Sequence, residues 1–344
     1  MKTKHIIILG AIFILLLGAL VAKKVLIRPA IEKEEYADLA ILLVPDEACA
    51  IEAKAGKDGV PLRLERDGQG VWRIPSQGNI RADKGKTGEL LRAITGLRGE
   101  LRSGQEALFS DYGITDDEAF SIAVFDKDMN VKEGLLVGTK RPGQAGCFLR
   151  KAGSANVFLA DKDLLAFFGI FGEAKDVTPS VNSWIDLFLV DIDPAAIESI
   201  KIIKRENDAE TVKLAINREN DKEKGTDKWA APGTEPAPDI DAAKVKNFII
   251  GLKDMKAMKA VEAQTGDYGF DKPYLTVELG TVSGASEFLV GNEEPKETGD
   301  RYVKDPEGHI FFARRYAVNK FDTDIANLLV ETPPPATPPA EEKK

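Results

Sequence analysis

Histidine is nearly missing from this sequence. Of 344 residues two are histidine, and His5 lies beside an N-terminal apolar run, which leaves His309 alone in the part that can fold. A Ser-His-Asp triad or a multi-histidine zinc site therefore has almost no material to draw on. Cysteine is equally scarce: Cys49 and Cys147 are far apart and in no C-x-x-C spacing. Two cysteines cannot alone complete a four-ligand zinc site or hold an iron–sulfur cluster. They read as two buried thiols in preference to one disulfide. No G-x-S-x-G, H-E-x-x-H, S-x-x-K or EF-hand loop occurs. Positive charge is also short, with 47 Lys and Arg against 56 Asp and Glu and a net charge of −9. Five of the basic residues (Lys2, Lys4, Lys23, Lys24, Arg28) fall in residues 1–28, which hold no acid, so the rest is more acidic than the total suggests. Such a surface repels phosphate backbones and excludes nucleic acid as a partner.

What is present begins with Ile6 to Ala22, an uncharged run flanked by lysines on both sides. Its 17 residues reach the lower limit for a spanning helix. Val25, Leu26 and Ile27 extend it if Lys23 and Lys24 snorkel. Leu20-Val21-Ala22 is a poor cleavage site, and no lipobox cysteine follows. Residues 1–28 are therefore expected to be an uncleaved membrane anchor, with the short N-terminus inside and the bulk translocated.

The remainder, with 43% hydrophobic residues and 16 Phe, is expected to form two domains, and it repeats itself. Trp72 in GVWRIP matches Trp229 in DKWAAP. Asp111-Tyr112-Gly113 matches Asp267-Tyr268-Gly269, and Val137-Gly138 matches Val290-Gly291. Phe148 then matches Tyr302, and VFLA at 157–160 matches IFFA at 310–313. The order is kept while the offset stays near 155. Residues 36–170 and 185–330 are thus read as two copies of one fold, with 171–184 as a linker and 331–344 as a proline-rich, unpacked tail. Each copy presents short alternating strands, a tryptophan strand, one helix behind an Asp cap (Asp83 or Asp241), the D-Y-G turn and more strands. The helix stripes are Leu90, Leu91, Ile94, Leu97 and Leu101 in one copy, and Val245, Phe248, Ile249, Leu252, Met255 and Met258 in the other. Glycines 85, 88, 96 and 99 are expected to weaken the first helix. Runs of strands around a single helix predict α+β domains with antiparallel sheets.

No residue earns a catalytic, cofactor or metal role from this pattern. Gly85-Lys86-Thr87 looks like the end of a phosphate loop, but Ile80 stands where the motif needs glycine. Trp72 and Trp229 read as core more readily than as walls of a groove. Asp111 and Asp267 read as turn caps, with Tyr112 and Tyr268 packed over the helix. Arg314-Arg315-Tyr316 reads as a solvated face. The run 219–228, with Glu219, Asp221, Glu223 and Asp227 interleaved with lysines, reads as an exposed hairpin loop and not a calcium site.

The anchor, the tandem strand–Trp–Asp-capped helix–YG–strands, the L-V-G strand and the YG-x-x-x-P form at Tyr268, Gly269 and Pro273 resemble domain of unknown function 4340. Copy one departs from that form, with Thr115-Asp116-Asp117-Glu118 where copy two reaches Pro273. The resemblance implies a bacterial envelope protein held in the inner membrane. It also implies an accessory role beside ABC transporter subunits of the gliding-motility type, and it brings no catalytic residues. The function expected is accordingly non-enzymatic partner binding. A carboxylate-dependent extracytoplasmic hydrolase and a small-ligand module using an inter-domain cleft are the alternatives.

Overall fold

The computed structural model describes residues 37–39, 41–138, 146–172, 177–221, 226–261 and 266–331. The expected anchor at Ile6–Ala22 and the tail beyond Glu331 lie outside these residues. Among the described residues, no helix is long and apolar enough to cross a membrane. The chain divides into two compact units: Met1–Gly70 with Gly85–Ser180, and Val71–Lys84 with Val181–Lys344.

In chain order the first stretch forms β1 (Ala37–Asp38), β2 (Ala50–Ala55), β3 (Leu62–Arg66), β4 (Trp72–Ile74), β5 (Ile80–Arg81), α1 (Lys84–Thr95) and β6 (Arg98–Ser103). It continues with α2 (Phe109–Tyr112), β7 (Phe120–Phe125), β8 (Val131–Val137), β9 (Phe148–Lys151) and β10 (Val157–Ala160). Excluding β4 and β5, the strands of the first unit lie in the order β1-β6-β10-β9-β8-β7-β2-β3, paired antiparallel. The second stretch forms β11 (Ile197–Glu206), β12 (Ala209–Asp221), β13 (Thr226–Ala230), α3 (Ala242–Lys253) and β14 (Lys259–Ala260). After these come β15 (Leu275–Thr281), β16 (Gly284–Glu293), β17 (Arg301–Lys304), β18 (Ile310–Ala313) and α4 (Arg315–Phe321). Its antiparallel order is β13-β12-β11-β15-β16-β17-β18-β14. The run β6-β10-β9-β8-β7-β2-β3 is therefore reproduced strand for strand by β14-β18-β17-β16-β15-β11-β12. The duplication read from sequence landmarks is a duplication of topology, and the fold is α+β with antiparallel sheets.

Alternation explains why these segments are strands. In β7 every second side chain (Phe120, Ile122, Val124) is buried, as are Leu275, Val277 and Leu279 in β15. Each such side chain contributes about 1.5–3 kcal/mol of burial.

Two features differ from the sequence reading. The apolar stripe of the first helix stops early: Leu90, Leu91 and Ile94 are buried in α1, but Leu97 follows its end and Leu101 lies in β6, 57% exposed. Gly99 is likewise in β6, where an added Cβ would come within 2.8 Å of the Leu39 side chain, so only Gly85 and Gly88 load the helix. In the second copy Met255, just past α3, is fully buried and Met258 is 44% exposed. The other difference concerns the tryptophan hairpin Val71–Lys84, which belongs with the second unit. There the Asp83 amide donates to the Trp184 carbonyl at 2.7 Å, and Ala82 bridges Ile185. The Asp241 amide donates likewise to the Leu328 carbonyl at 2.8 Å, and Ile240 bridges Leu329. Val181–Trp184, inside the expected linker, is thus a 3-10 turn whose Trp184 is wholly buried. It stands to the first helix start as Ile325–Leu328 stands to the second.

Candidate functional site

The repeated landmarks turn out to hold the fold together. Gly113 and Gly269 both take left-handed backbone angles, with φ of 65° and 76°. The turn this makes drives the preceding tyrosine carbonyl onto the L-V-G strand. A Cβ on Gly138 would lie 2.0 Å from the Tyr112 carbonyl oxygen, and one on Gly291 would lie 2.0 Å from that of Tyr268. The rings pack in parallel fashion in the two copies, Tyr112 on Phe148 and Tyr268 on Tyr302, each at 4.7 Å between centroids. Asp267 caps its turn by accepting the Gly269 amide at 3.0 Å. Asp111 instead sits inside the helical turn α2, which closes through the Gly113 and Ile114 amides onto Ser110 and Phe109.

A cavity of about 680 Å³ opens in the second unit, lined among others by Pro194, Arg218, Trp229, Lys246, Ile249 and Ile250. Three local devices build it. Asp193 caps the 3-10 turn Pro194–Ala196 by accepting the Ala195 amide at 3.0 Å. That turn presents the Ala195 carbonyl to Arg218, whose Nη1 donates to it at 2.7 Å. Arg218 in β12 stands directly across from Trp229 in β13. Asp241 then starts α3 by accepting the Ala243 and Lys244 amides at 2.8 and 3.2 Å. The helix turns Ala242, Ala243, Lys246, Ile249 and Ile250 toward the cavity at three-four spacing. Trp229 is buried and is at once core and wall. The titratable lining is Asp193, Arg218 and Lys246. Among the described lining residues the carboxylate, Asp193, is committed to a turn, so the lining suits holding an apolar group with a negative charge beside it.

A second cavity, of about 390 Å³, borders Gly78, Glu307 and His309. His309 Nε2 meets the Gly78 carbonyl at 2.9 Å and Nδ1 meets Asp305 Oδ2 at 3.3 Å. Both partners are acceptors, and a neutral imidazole has one N–H, so only the imidazolium satisfies both. Asp305, aided by the Gly78 carbonyl and by Glu307, holds the His309 pKa above its ordinary value against the opposing effect of burial. Glu307 is itself paired with Arg73 in β4. The raised folded pKa fixes the sign of a pH effect: the stabilisation is fully present below about pH 6.5 and is lost as pH rises through the folded value. Wild type should exceed His309→Gln in denaturation midpoint near pH 6, and that difference should shrink by pH 9. A difference that is constant or grows with pH would contradict this assignment.

The other residues singled out in the sequence are dispersed. Thr87 of the G-K-T is wholly buried in α1. Arg314, Arg315 and Tyr316 are exposed at the start of α4. Of the run 219–228, Glu219–Asp221 end β12 and Thr226–Lys228 begin β13, with Asp221 paired with Thr226. Cys49 and Cys147 form no disulfide. Among the described residues no three His, Cys, Asp or Glu side chains gather as a metal site. One cluster had no sequence signal: the buried Arg81, which reaches the Phe188 carbonyl at 2.6 Å and Asp191 at 2.9 Å. Burial raises the pKa of nearby Asp186 despite the Phe188 amide and Arg81.

The family model described as Domain of unknown function (DUF4340) matches residues 72–239 and again residues 229–333. No curated protein and no solved structure matches the chain.

Proposed function

Starting from the fact that the chain belongs to the domain of unknown function 4340 family, we propose that it is a non-catalytic binding protein of the bacterial envelope. Ile6–Ala22 anchors it once through the inner membrane, with the N-terminus cytoplasmic and both repeats outside. The second unit engages a component of an ABC transporter through the Trp229 cavity. The observation that carries the binding role is that cavity. At about 680 Å³ it has the size and apolar lining of a ligand site, two cations at its wall and no carboxylate pair. Residues 171–330 carry a net −9, so these two cations stand against an acidic stretch of chain. The transporter as partner follows from the family resemblance alone.

The test is affinity purification of the full chain from membranes in mild detergent, beside Ile250→Glu. Ile250 lines the cavity and is 43% exposed, so this change places a charge in the site at little cost to the fold. Recovery of a transporter subunit with wild type, and its loss with the variant, is expected. Repeated recovery without any transporter subunit rejects the partner, and equal recovery with both proteins rejects the site.

A further inference from the structure

The two copies differ at one place: a strand that is covered in the first copy has a strand neighbour on one side only among the described residues of the second. In the first copy the tryptophan strand β4 is covered by β5, with Arg73 opposite Arg81 and Ile74 opposite Ile80, and Ile80 is buried. The chain reverses between them through the 3-10 turn Pro75–Gln77 and two successive left-handed residues, Gly78 and Asn79, at φ 66° and 60°. In the second copy β13, which carries the matching Trp229, ends the sheet order, and β12 is its strand neighbour among the described residues. The segment that would return to cover it contains Pro232, Pro236 and Pro238. A proline has no N–H to give to a ladder and is confined to edges and turns. This segment runs instead to the end of the fold, where Ile240 bridges Leu329 and the Val330 amide donates to the Asp239 carbonyl. The duplication therefore kept the tryptophan strand and lost its cover, and it did so beside the largest cavity described above.

We infer that the open edge of β13 is a strand-addition site: an extended segment of a partner pairs with Thr226–Ala230 and seats one apolar side chain in the Trp229 cavity. This deepens the partner-binding reading of that cavity and rests on it. An edge strand with unpaired N–H and C=O groups is a template for another chain, and main-chain pairing plus a side-chain pocket is a known mode of peptide recognition. The occupant's chemistry follows from period two. The residue facing Trp229 is apolar, in the role that buried Ala82 plays for Trp72, to whose carbonyl its amide donates at 2.8 Å. On the same face, two residues along, a carboxylate meets Arg218 and Lys246, while Asp193 is engaged with the Ala195 amide. On the opposite face a carboxylate meets exposed Lys228, which stands across from Glu219 of β12 on its other side. The chain's own tail does not fit, because prolines at 333–335 and 338–339 remove the donors a strand needs.

The probe is a capped peptide, acetyl-Thr-Glu-Glu-Ile-Glu-Glu-Thr-amide, added to the full chain in mild detergent and read by hydrogen exchange at Thr226–Ala230. Exchange in β13 should slow by about tenfold or more at saturation. The same peptide N-methylated at alternate residues should not protect β13. A version with lysine for glutamate should bind about tenfold more weakly, and Ile250→Glu should abolish protection. The inference is overturned if the probe leaves β13 exchange unchanged, or if the N-methylated peptide binds equally well. It is also overturned if β13 is protected without probe in a concentration-dependent dimer seen by sedimentation, which would give the edge to a second copy. A transporter subunit still recovered in an Ile250-dependent manner, with β13 unprotected by the probe, would reject strand pairing alone and leave the partner reading intact.

Discussion

Alanine at Gly291 is expected to destabilise the second unit by about 3 kcal/mol, and alanine at Gly138 should do the same to the first, at the upper end of what overpacking costs. The intruding methyl would sit 2.0 Å from a backbone carbonyl oxygen in each case. In the second unit that oxygen has no room to retreat. It accepts the Asn292 amide at 2.7 Å, its own ring is packed on Tyr302, and Asn292 Nδ2 donates to the Asp267 carbonyl at 3.1 Å. At Gly138 the methyl would also lie 2.6 Å from Cγ2 of the wholly buried Ile114. Gly251 is the internal control, since it lies within α3 with nothing inside 4 Å of an added Cβ. Gly251→Ala should therefore stabilise by about 0.5–1 kcal/mol through helix propensity. Denaturant unfolding followed by far-ultraviolet circular dichroism, which senses the strands of both units, reads all three. Opposite signs at Gly291 and Gly251 are the expected result, and a loss below about 1 kcal/mol at Gly291 would show that the turn yields.

Much of this fold is legible in the sequence because duplication marks the same positions twice. Alternation identifies strands such as β7 and β15. The paired D-Y-G and L-V-G segments point to something shared, although nothing local says that one glycine exists to admit the other segment's carbonyl. What stays hidden depends on partners remote along the chain. His309 stands out as the one histidine of the folded part, but its contact with Gly78 spans 231 positions. Trp229 stands out too, and yet it becomes a cavity wall only once the β12–β13 register sets Arg218 across from it. The overlong first helix has a different cause. Leu97 and Leu101 continue a three-four spacing by coincidence, on a turn and a strand where glycines admit close neighbours. The assignment of Val71–Lys84 to the second unit rests on Arg81 and Trp184, whose packing has no local signature.

Arg150 should show the largest effect of any charged residue in the first unit. It is 3% exposed, yet its guanidinium makes three separate contacts: Nε to the Ile114 carbonyl at 2.8 Å, Nη1 to the Ser154 carbonyl at 3.4 Å and Nη2 to Asp116 at 2.7 Å. It also lies 4.3 Å from the centre of the Phe109 ring. Arg150→Met keeps the stem but strands the buried Ile114 carbonyl, which should cost about 2–3 kcal/mol. Arg150→Lys keeps the charge but not the planar fork, so it should still lose about 1–2 kcal/mol, because three donors on one nitrogen cannot span partners on three sides. The repeat supplies the comparison. Lys304 occupies the matching position in the second copy, half-buried and 6.0 Å from the Phe270 ring. Lys304→Met should cost no more than about 1 kcal/mol. Equal losses at Arg150 and Lys304 would mean that both copies rely on a cation here. The expected inequality means that the first copy, which lacks the second copy's quick closure at Pro273, fastens its D-Y-G segment with a buried arginine instead.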